Sequence, residues 1–275
     1  MNESVLELDG GRFGVLHEAM GATEVVFVLL NAGSVHRQGP FRLYVHLARQ
    51  LASLGFASFR FDQPGIGDAV MAAERPQQAL LTDVLDRLQA RTGCQRFVVG
   101  GICSAADAAW QLGLRDPRVQ GLLLLDPVAY GGRWFQLARL LQPRSPAALW
   151  RALTRRLAAR GERGQAAPAA VEADYRDWPR PDEAPLQLAA LCRRGVEVLA
   201  LYTGGIAHYF LHPRQFAATF GAAARDRRVR FDYWPRVDHL FYRPADRERL
   251  IRHVCGWAQA RLSAASPKEP QRGYP

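Results

Sequence analysis

With 275 residues, 48% hydrophobic and 23% charged, the chain is long enough for one large domain with a well-buried core, and its balance is that of a soluble globular protein. No apolar run approaches the roughly 20 residues needed to cross a bilayer, and Met1-Asn2-Glu3-Ser4 lacks the basic start and apolar run of a secretion signal, so a cytoplasmic location is expected. The formal net charge is +10, with Lys268 the single lysine among 36 basic residues; anionic partners are attracted to such a surface, but no helix-turn-helix, finger or aromatic–basic strand signature accompanies it, and nucleic acid is not expected.

Along the chain, short β-rich runs alternate with helical patterns, which implies a mostly parallel sheet covered on both faces, an α/β fold. Residues 25–31 (VVFVLLN) read as a fully buried strand. Residues 41–55 read as a helix, with Leu43, Leu47, Leu51 and Leu54 on one face and Gly55 closing it. Strand 56–61 ends at Asp62-Gln63-Pro64-Gly65, helix 79–92 follows, and strand 96–100 runs into Gly101-Ile102-Cys103-Ser104-Ala105 and a helix over 105–114. Strand 119–125 ends at Asp126-Pro127.

The alternation then breaks. Residues 129–185 are rich in Arg, Ala, Pro and Trp, with no strand-like run and one helical pattern at 146–160. An excursion of this size is too long for a plain loop and reads as a helical cap inserted between core segments 1–128 and 186–262. The core resumes with strand 196–203, helix 213–224, strand 229–234 and helix 245–262, and the polar, Pro-rich tail 263–275 is expected to be disordered.

The strand–turn–helix around Cys103 carries the strongest chemical signal. A nucleophile elbow needs small residues two before and two after the nucleophile, because the backbone turns too sharply for larger ones. Gly101 and Ala105 meet both demands. Centring the turn on Ser104 would place Ile102 there, which fits poorly. A helix N-terminus also favours the thiolate. The blander reading of Cys103 is a small buried side chain at a tight junction. Ala32-Gly33-Ser34 follows the first buried strand, so the N–H groups of Gly33 and Ser104 can form an oxyanion hole. His239, on the loop after strand 229–234, stands where a general base belongs, and the order nucleophile, acid, histidine fits. His208 and His212 are the competing bases. Cys94, Cys192 and Cys255 read as packing residues, with no CxxC pair and hence neither a zinc site nor a disulfide framework.

The stretches Asn31-Ala32-Gly33-Ser34-Val35-His36-Arg37-Gln38-Gly39-Pro40-Phe41-Arg42, Arg60-Phe61-Asp62-Gln63-Pro64-Gly65-Ile66-Gly67-Asp68 and Gly101-Ile102-Cys103-Ser104-Ala105 resemble the exosortase A-associated α/β-hydrolases, and related hydrolases and acyltransferases of bacterial biosynthetic clusters. The resemblance is dense from about residue 25 to 127, looser from 196 to 262 and absent from the cap. It implies an α/β-hydrolase fold, a Cys–His catalytic pair and acyl chemistry; no metal or organic cofactor is expected from the reading as a whole.

One departure concerns the acid. The turn that usually carries it reads Thr203-Gly204-Gly205-Ile206-Ala207-His208, with no carboxylate. Asp126, at the end of strand 119–125, is one substitute. Its other reading is a cap on the turn before Pro127. Asp238 adjoins His239 and so reaches its imidazole poorly. A Cys–His dyad with no acid is the third option, since a thiolate needs less activation than a serine. His36, Arg37 and Arg42 either bind an anionic substrate group or anchor the oxyanion loop, and Asp107 is expected to hydrogen-bond within its helix start.

The expectation is therefore an acyl hydrolase or acyltransferase with an acyl-cysteine intermediate and thioester donors, delivered on coenzyme A or an acidic acyl- or peptidyl-carrier protein. Arg151, Arg155 and Arg156, together with Arg144, Arg160 and Arg163, are the candidate docking residues in the cap; their other reading is a solvated polar face. The competing classes are a cysteine esterase or lactonase, and a non-catalytic binding protein of the same fold.

Overall fold

The computed structural model describes residues 2–21, 24–70, 76–127, 129–141, 176 and 178–263. Eight strands form one sheet: β1 (Glu3–Leu8), β2 (Arg12–His17), β3 (Val26–Leu29), β4 (Ala57–Phe61), β5 (Phe97–Ile102), β6 (Val119–Leu125), β7 (Glu197–Thr203) and β8 (Val229–Trp234). Their order across the sheet is β1-β2-β4-β3-β5-β6-β7-β8. β1 and β2 pair antiparallel, as do β2 and β4, and every other pair is parallel. The opening hairpin is absent from the sequence reading. Its turn is made by Asp9-Gly10-Gly11, where Gly10 takes φ 74°.

Seven helices among the described residues accompany the sheet: α1 (Leu43–Ser53), α2 (Gln77–Thr92), α3 (Ser104–Arg115), α4 (Arg133–Leu141), α5 (Ala184–Arg193), α6 (Arg214–Phe220) and α7 (Pro244–Leu262). The period-2 geometry of the strands sends alternate side chains to opposite faces. Val26 and Val28 of β3 join one apolar cluster with α2, α3, α5 and α6. Phe27 and Leu29 join a second with α1 and α7. Continuous apolar runs such as Leu122-Leu123-Leu124-Leu125 are explained by this double burial, each large side chain contributing about 1.5–3 kcal/mol.

Strand bounds fall within two residues of the sequence expectation, and β6 and β8 have the expected limits. The helix expected at 213–224 is instead α6 followed by a 3-10 segment, Gly221–Arg225. The α4 and α5 helices are additional. The helix expected at 146–160 lies outside the described residues, as does the tail from 264.

After β3 the chain moves outward to β4, and then returns to the other side of β3 as β5. The loops leaving β3 and β5 therefore diverge at the carboxyl edge of the sheet, which is where parallel sheets open a crevice.

Candidate active site

At that edge β5 runs into a sharp turn. Cys103 has φ 60° and ψ −123°, a conformation that a non-glycine residue holds only where its surroundings enforce it. The Cys103 N–H donates to the Leu125 carbonyl at 2.8 Å, and the Ile102 N–H donates to the buried Tyr44 hydroxyl at 3.1 Å. A Cβ on Gly101 would fall 2.6 Å from Ala105 Cβ and 2.9 Å from the Leu30 carbonyl oxygen, so a glycine is required there. Cys103 itself is half-buried at the N-terminus of α3.

Asp126, the residue after β6, is completely buried. Its Oδ2 lies 2.7 Å from His239 Nδ1. Its Oδ1 accepts the Thr203 N–H at 2.5 Å, and Oδ2 also accepts the Thr203 hydroxyl at 2.7 Å. The turn after β7 that lacks a carboxylate has a steric reason to do so. A Cβ on Gly204 would meet the Pro235 carbonyl oxygen at 2.1 Å, and one on Gly205 would meet His239 N at 2.2 Å. The two glycines let the histidine loop lie directly on the end of β7. Asp238, considered as the acid, instead accepts the N–H groups of Leu240 at 3.0 Å and of Tyr242 at 3.1 and 3.0 Å, shaping that loop.

The electrostatics follow from these contacts. The hydrogen bond that Nδ1–H donates to Asp126, then that with Cys103, raises the His239 imidazole from 6.5 to about 9 against the effect of burial. The hydrogen bond with His239 lowers the Cys103 thiol from its ordinary 9.0, against burial and with help from the charge of Arg176. The other thiols move oppositely: burial raises Cys94, and pushes Cys192 and Cys255 to about 11. His208 stacks edge-on against Tyr209 at 4.5 Å. His212 stacks on Trp134 at 5.3 Å and accepts the Arg214 N–H at 3.1 Å.

Gly33, with φ 52°, lies beside the elbow. Its N–H donates to Ser104 Oγ at 3.0 Å, so one of the two expected oxyanion donors carries a hydroxyl in this arrangement. The Ser104 N–H is directed at the Cys103 sulfur. The rest of that loop is stitched to the loop after β4. Asn31 Nδ2 donates to Asp62 Oδ1 at 3.0 Å, and the Arg37 N–H donates to the same oxygen at 2.6 Å. The Arg37 guanidinium bridges Asp62 and Asp68, lying 2.7 Å from Asp68 Oδ2. His36 Nε2 is 3.4 Å from Asp68 and 3.5 Å from Asp62. Ligand-type atoms of His36, Asp62 and Asp68 come within 4.8 Å of one another, but the guanidinium already supplies the positive charge between the carboxylates. Arg42 is exposed and precedes α1 in a left-handed conformation, φ 60°. Arg144, Arg151, Arg155, Arg156, Arg160 and Arg163 lie outside the described residues.

Three contributors are absent from the sequence reading. Thr203 cradles the Asp126 carboxylate. Arg176 Nη2 donates to Asp107 Oδ1 at 2.7 Å and its Nε to Oδ2 at 2.5 Å, so the Asp107 carboxylate meets a guanidinium rather than only its helix start. Tyr209 receives a third Arg176 hydrogen bond, Nη1 to hydroxyl, at 3.3 Å.

No family model matches the chain, and no curated protein does. Solved structures do. The chain is similar to a protein of unknown function from Agrobacterium tumefaciens, itself a candidate α/β hydrolase, with TM-score 0.58, 12% identity, 95% of this chain and 96% of the other covered. It is similar to dienelactone hydrolase from Anabaena variabilis, with TM-score 0.55, 16% identity, 95% and 98% covered. A lidless α/β serine hydrolase from Xanthomonas campestris gives TM-score 0.55, 13% identity, 96% and 97% covered. At these identities the likeness is one of architecture, and the chain has the α/β-hydrolase fold. Among the described residues no helix is long and apolar enough to cross a membrane.

Proposed function

We propose that this protein is an acyl hydrolase or acyltransferase that works through an acyl-cysteine at Cys103. The supporting observation is the continuous chain Asp126–His239–Cys103, with the imidazole raised to about 9 and the thiol lowered. Those directions favour a thiolate–imidazolium pair at neutral pH, the reactive form of a cysteine nucleophile.

In this reading the Cys103 thiolate attacks the acyl carbon. The Ser104 N–H and the Gly33 N–H, freed from or acting through the Ser104 hydroxyl, stabilise the oxyanion. Collapse expels the leaving group, which takes its proton from His239 Nε2. His239 then removes a proton from water or another acceptor, which attacks the thioester and regenerates the thiolate. Asp126, fixed by Thr203, keeps Nδ1–H pointed at itself and Nε2 at the sulfur.

Thioesters are the preferred donors in this proposal, because a cysteine exchanges one thioester for another at nearly equal free energy and keeps the acyl group ready for transfer. A carrier protein or coenzyme A would meet a chain of net charge +10; charge reversal at Arg151, Arg155 and Arg156 should raise KM for such a donor and leave a small neutral ester unaffected. The esterase and dienelactone hydrolase among the structural neighbours favour a second reading, a carboxyl esterase or lactonase with the same nucleophile. The deciding comparison is kcat/KM for a matched thioester and oxygen ester of one acyl chain, corrected for intrinsic reactivity. A corrected preference for the oxygen ester leaves the esterase. Failure of either to acylate Cys103, read by intact mass, leaves a non-catalytic binding protein.

A further inference from the structure

Outside the proposed triad, Arg176 and Asp107 form a closely bonded pair of charges beside the nucleophile helix. Asp107 is buried in the first turn of α3, the helix that Cys103 precedes. Its carboxylate receives Arg176 through Nε and Nη2 in the two-pronged geometry that makes such pairs strong and directional. The third edge of the guanidinium reaches the Tyr209 hydroxyl, and that hydroxyl donates to the Asp126 carbonyl at 3.3 Å. The guanidinium is thus fixed between the first turn of the nucleophile helix and the residue that supplies the acid. Nothing in the proposed acyl chemistry uses it.

We infer that Arg176 is a positioning residue for the nucleophile: held by Asp107, it keeps a fixed positive charge beside the Cys103 sulfur and braces Tyr209 against Asp126. The inference rests on Cys103 being the nucleophile. An Arg–Asp pair placed merely to fasten the chain would work equally well far from the sulfur. Among the described residues, the titratable groups that act on Cys103 are His239 from the β8–α7 loop, Arg176, Tyr209 from the segment after β7 and Tyr44 from α1, with Asp126 acting through His239 and Asp107 through Arg176. Arg176 is the permanent cation of that set. Its field acts in the direction of the thiolate, and the reciprocal field of the thiolate raises Arg176. Tyr209 stays protonated, because burial pushes its phenol upward, so it donates to the Asp126 carbonyl rather than competing for charge.

Trp178, two residues after Arg176, packs against Trp110 of α3 with ring centroids 5.3 Å apart and planes tilted by 37°. Arg176 and Trp178 therefore both meet α3, and the first of these contacts is joined to the reactivity of the sulfur.

The experiment is the pH dependence of Cys103 alkylation by iodoacetamide in the full chain, read by intact mass with Cys103→Ala as the blank. In Arg176→Gln the titration of the thiol should move up by at least about half a unit, the scale expected for losing one nearby charge. In Arg176→Lys, which keeps the charge but not the fork, at least half of that shift should return. An Arg176→Gln variant with a lowered melting temperature and an unmoved titration would reduce the pair to a fastener and overturn the inference. So would a Lys variant that titrates like the Gln variant. Turnover by Cys103→Ala would instead remove the nucleophile assignment, an outcome the alkylation titration reports separately.

Discussion

Asp126 Oδ2 and His239 Nδ1 lie 2.7 Å apart across 113 residues of sequence, and the carboxylate that closes this contact has no exposure to solvent. An asparagine at 126 would turn an amide N–H toward either the Thr203 donors or the imidazole, and would favour the wrong tautomer of His239. Asp126→Asn should lower kcat/KM by at least roughly a hundredfold, by analogy with triad acids. It should also draw the basic limb of the pH–rate profile down from about 9 toward 6.5, because the largest cause of the raised imidazole is gone. Steady-state kinetics across pH checks both effects. A change under about threefold would make the site a Cys–His dyad.

Thr203→Val keeps the shape of the side chain and the backbone N–H but removes the hydroxyl that donates to Asp126 and accepts the Gly205 N–H at 3.2 Å. A buried carboxylate missing one donor costs about 1–3 kcal/mol. The expected result is a loss of that order in chemical denaturation together with a rate loss of about tenfold. Thr203→Ser, which restores the hydroxyl, should recover most of both. Equal behaviour of the Val and Ser variants would assign Thr203 a packing role.

Gly205→Ala tests why the turn after β7 carries no carboxylate. The added Cβ would lie 2.2 Å from His239 N and 2.8 Å from its Cα, both backbone atoms. The histidine loop must move, and a displacement near 1 Å at a reacting group costs on the order of a hundredfold. The variant should lose that much in kcat while Cys103 remains open to alkylation. Unchanged kcat would mean that the loop tolerates the shift.

How far the sequence carried the structure differs from element to element. The sheet was legible because doubly buried parallel strands write themselves as apolar runs, as at residues 119–125. The elbow was legible because its backbone admits only Gly101 and Ala105. The β1–β2 hairpin was not, since β1 is an edge strand whose outer face carries the apolar Val5 and whose inner face is only half-buried up to Leu8, which blurs the polar–apolar alternation. The Gly204-Gly205 turn looked like a missing acid, whereas the glycines are there for loop packing, a contact between segments about 35 residues apart that no local pattern records. Arg176 and Asp107 stand 69 residues apart. In a sequence whose residues 129–185 are rich in arginine, nothing marked this one.

The raised His239 and the lowered Cys103 also make a prediction about stability, and the signs oppose each other. His239 rises from 6.5 to about 9 on folding, so its contribution is complete below 6.5 and is lost as pH climbs to about 9. Cys103 falls below 9.0 on folding, so its contribution is complete above 9.0 and is lost as pH drops through the folded value. Between its folded value and 9.0 the thiol is protonated in the unfolded chain and ionised in the folded one, and between 6.5 and about 9 the imidazole is protonated only in the folded chain. Where these two windows overlap the proton counts are equal, and linkage gives no net slope from this pair. Cys103→Ala removes the thiol from both counts and leaves the histidine slope uncompensated, with its upper end lowered by the loss of the thiol contact. The free energy of unfolding of Cys103→Ala, relative to wild type, should therefore decline as pH rises from the folded value of the thiol toward 9.0, at no more than about 1.4 kcal/mol per pH unit, the limit for one proton. Urea denaturation at half-unit steps measures the difference, which cancels the other titrating groups. A difference constant with pH would mean that the thiol is protonated and the imidazole neutral in the folded protein. The acid limb of alkylation should then lie near 9.0 rather than below it, a second reading of the same pair by a method that needs no turnover.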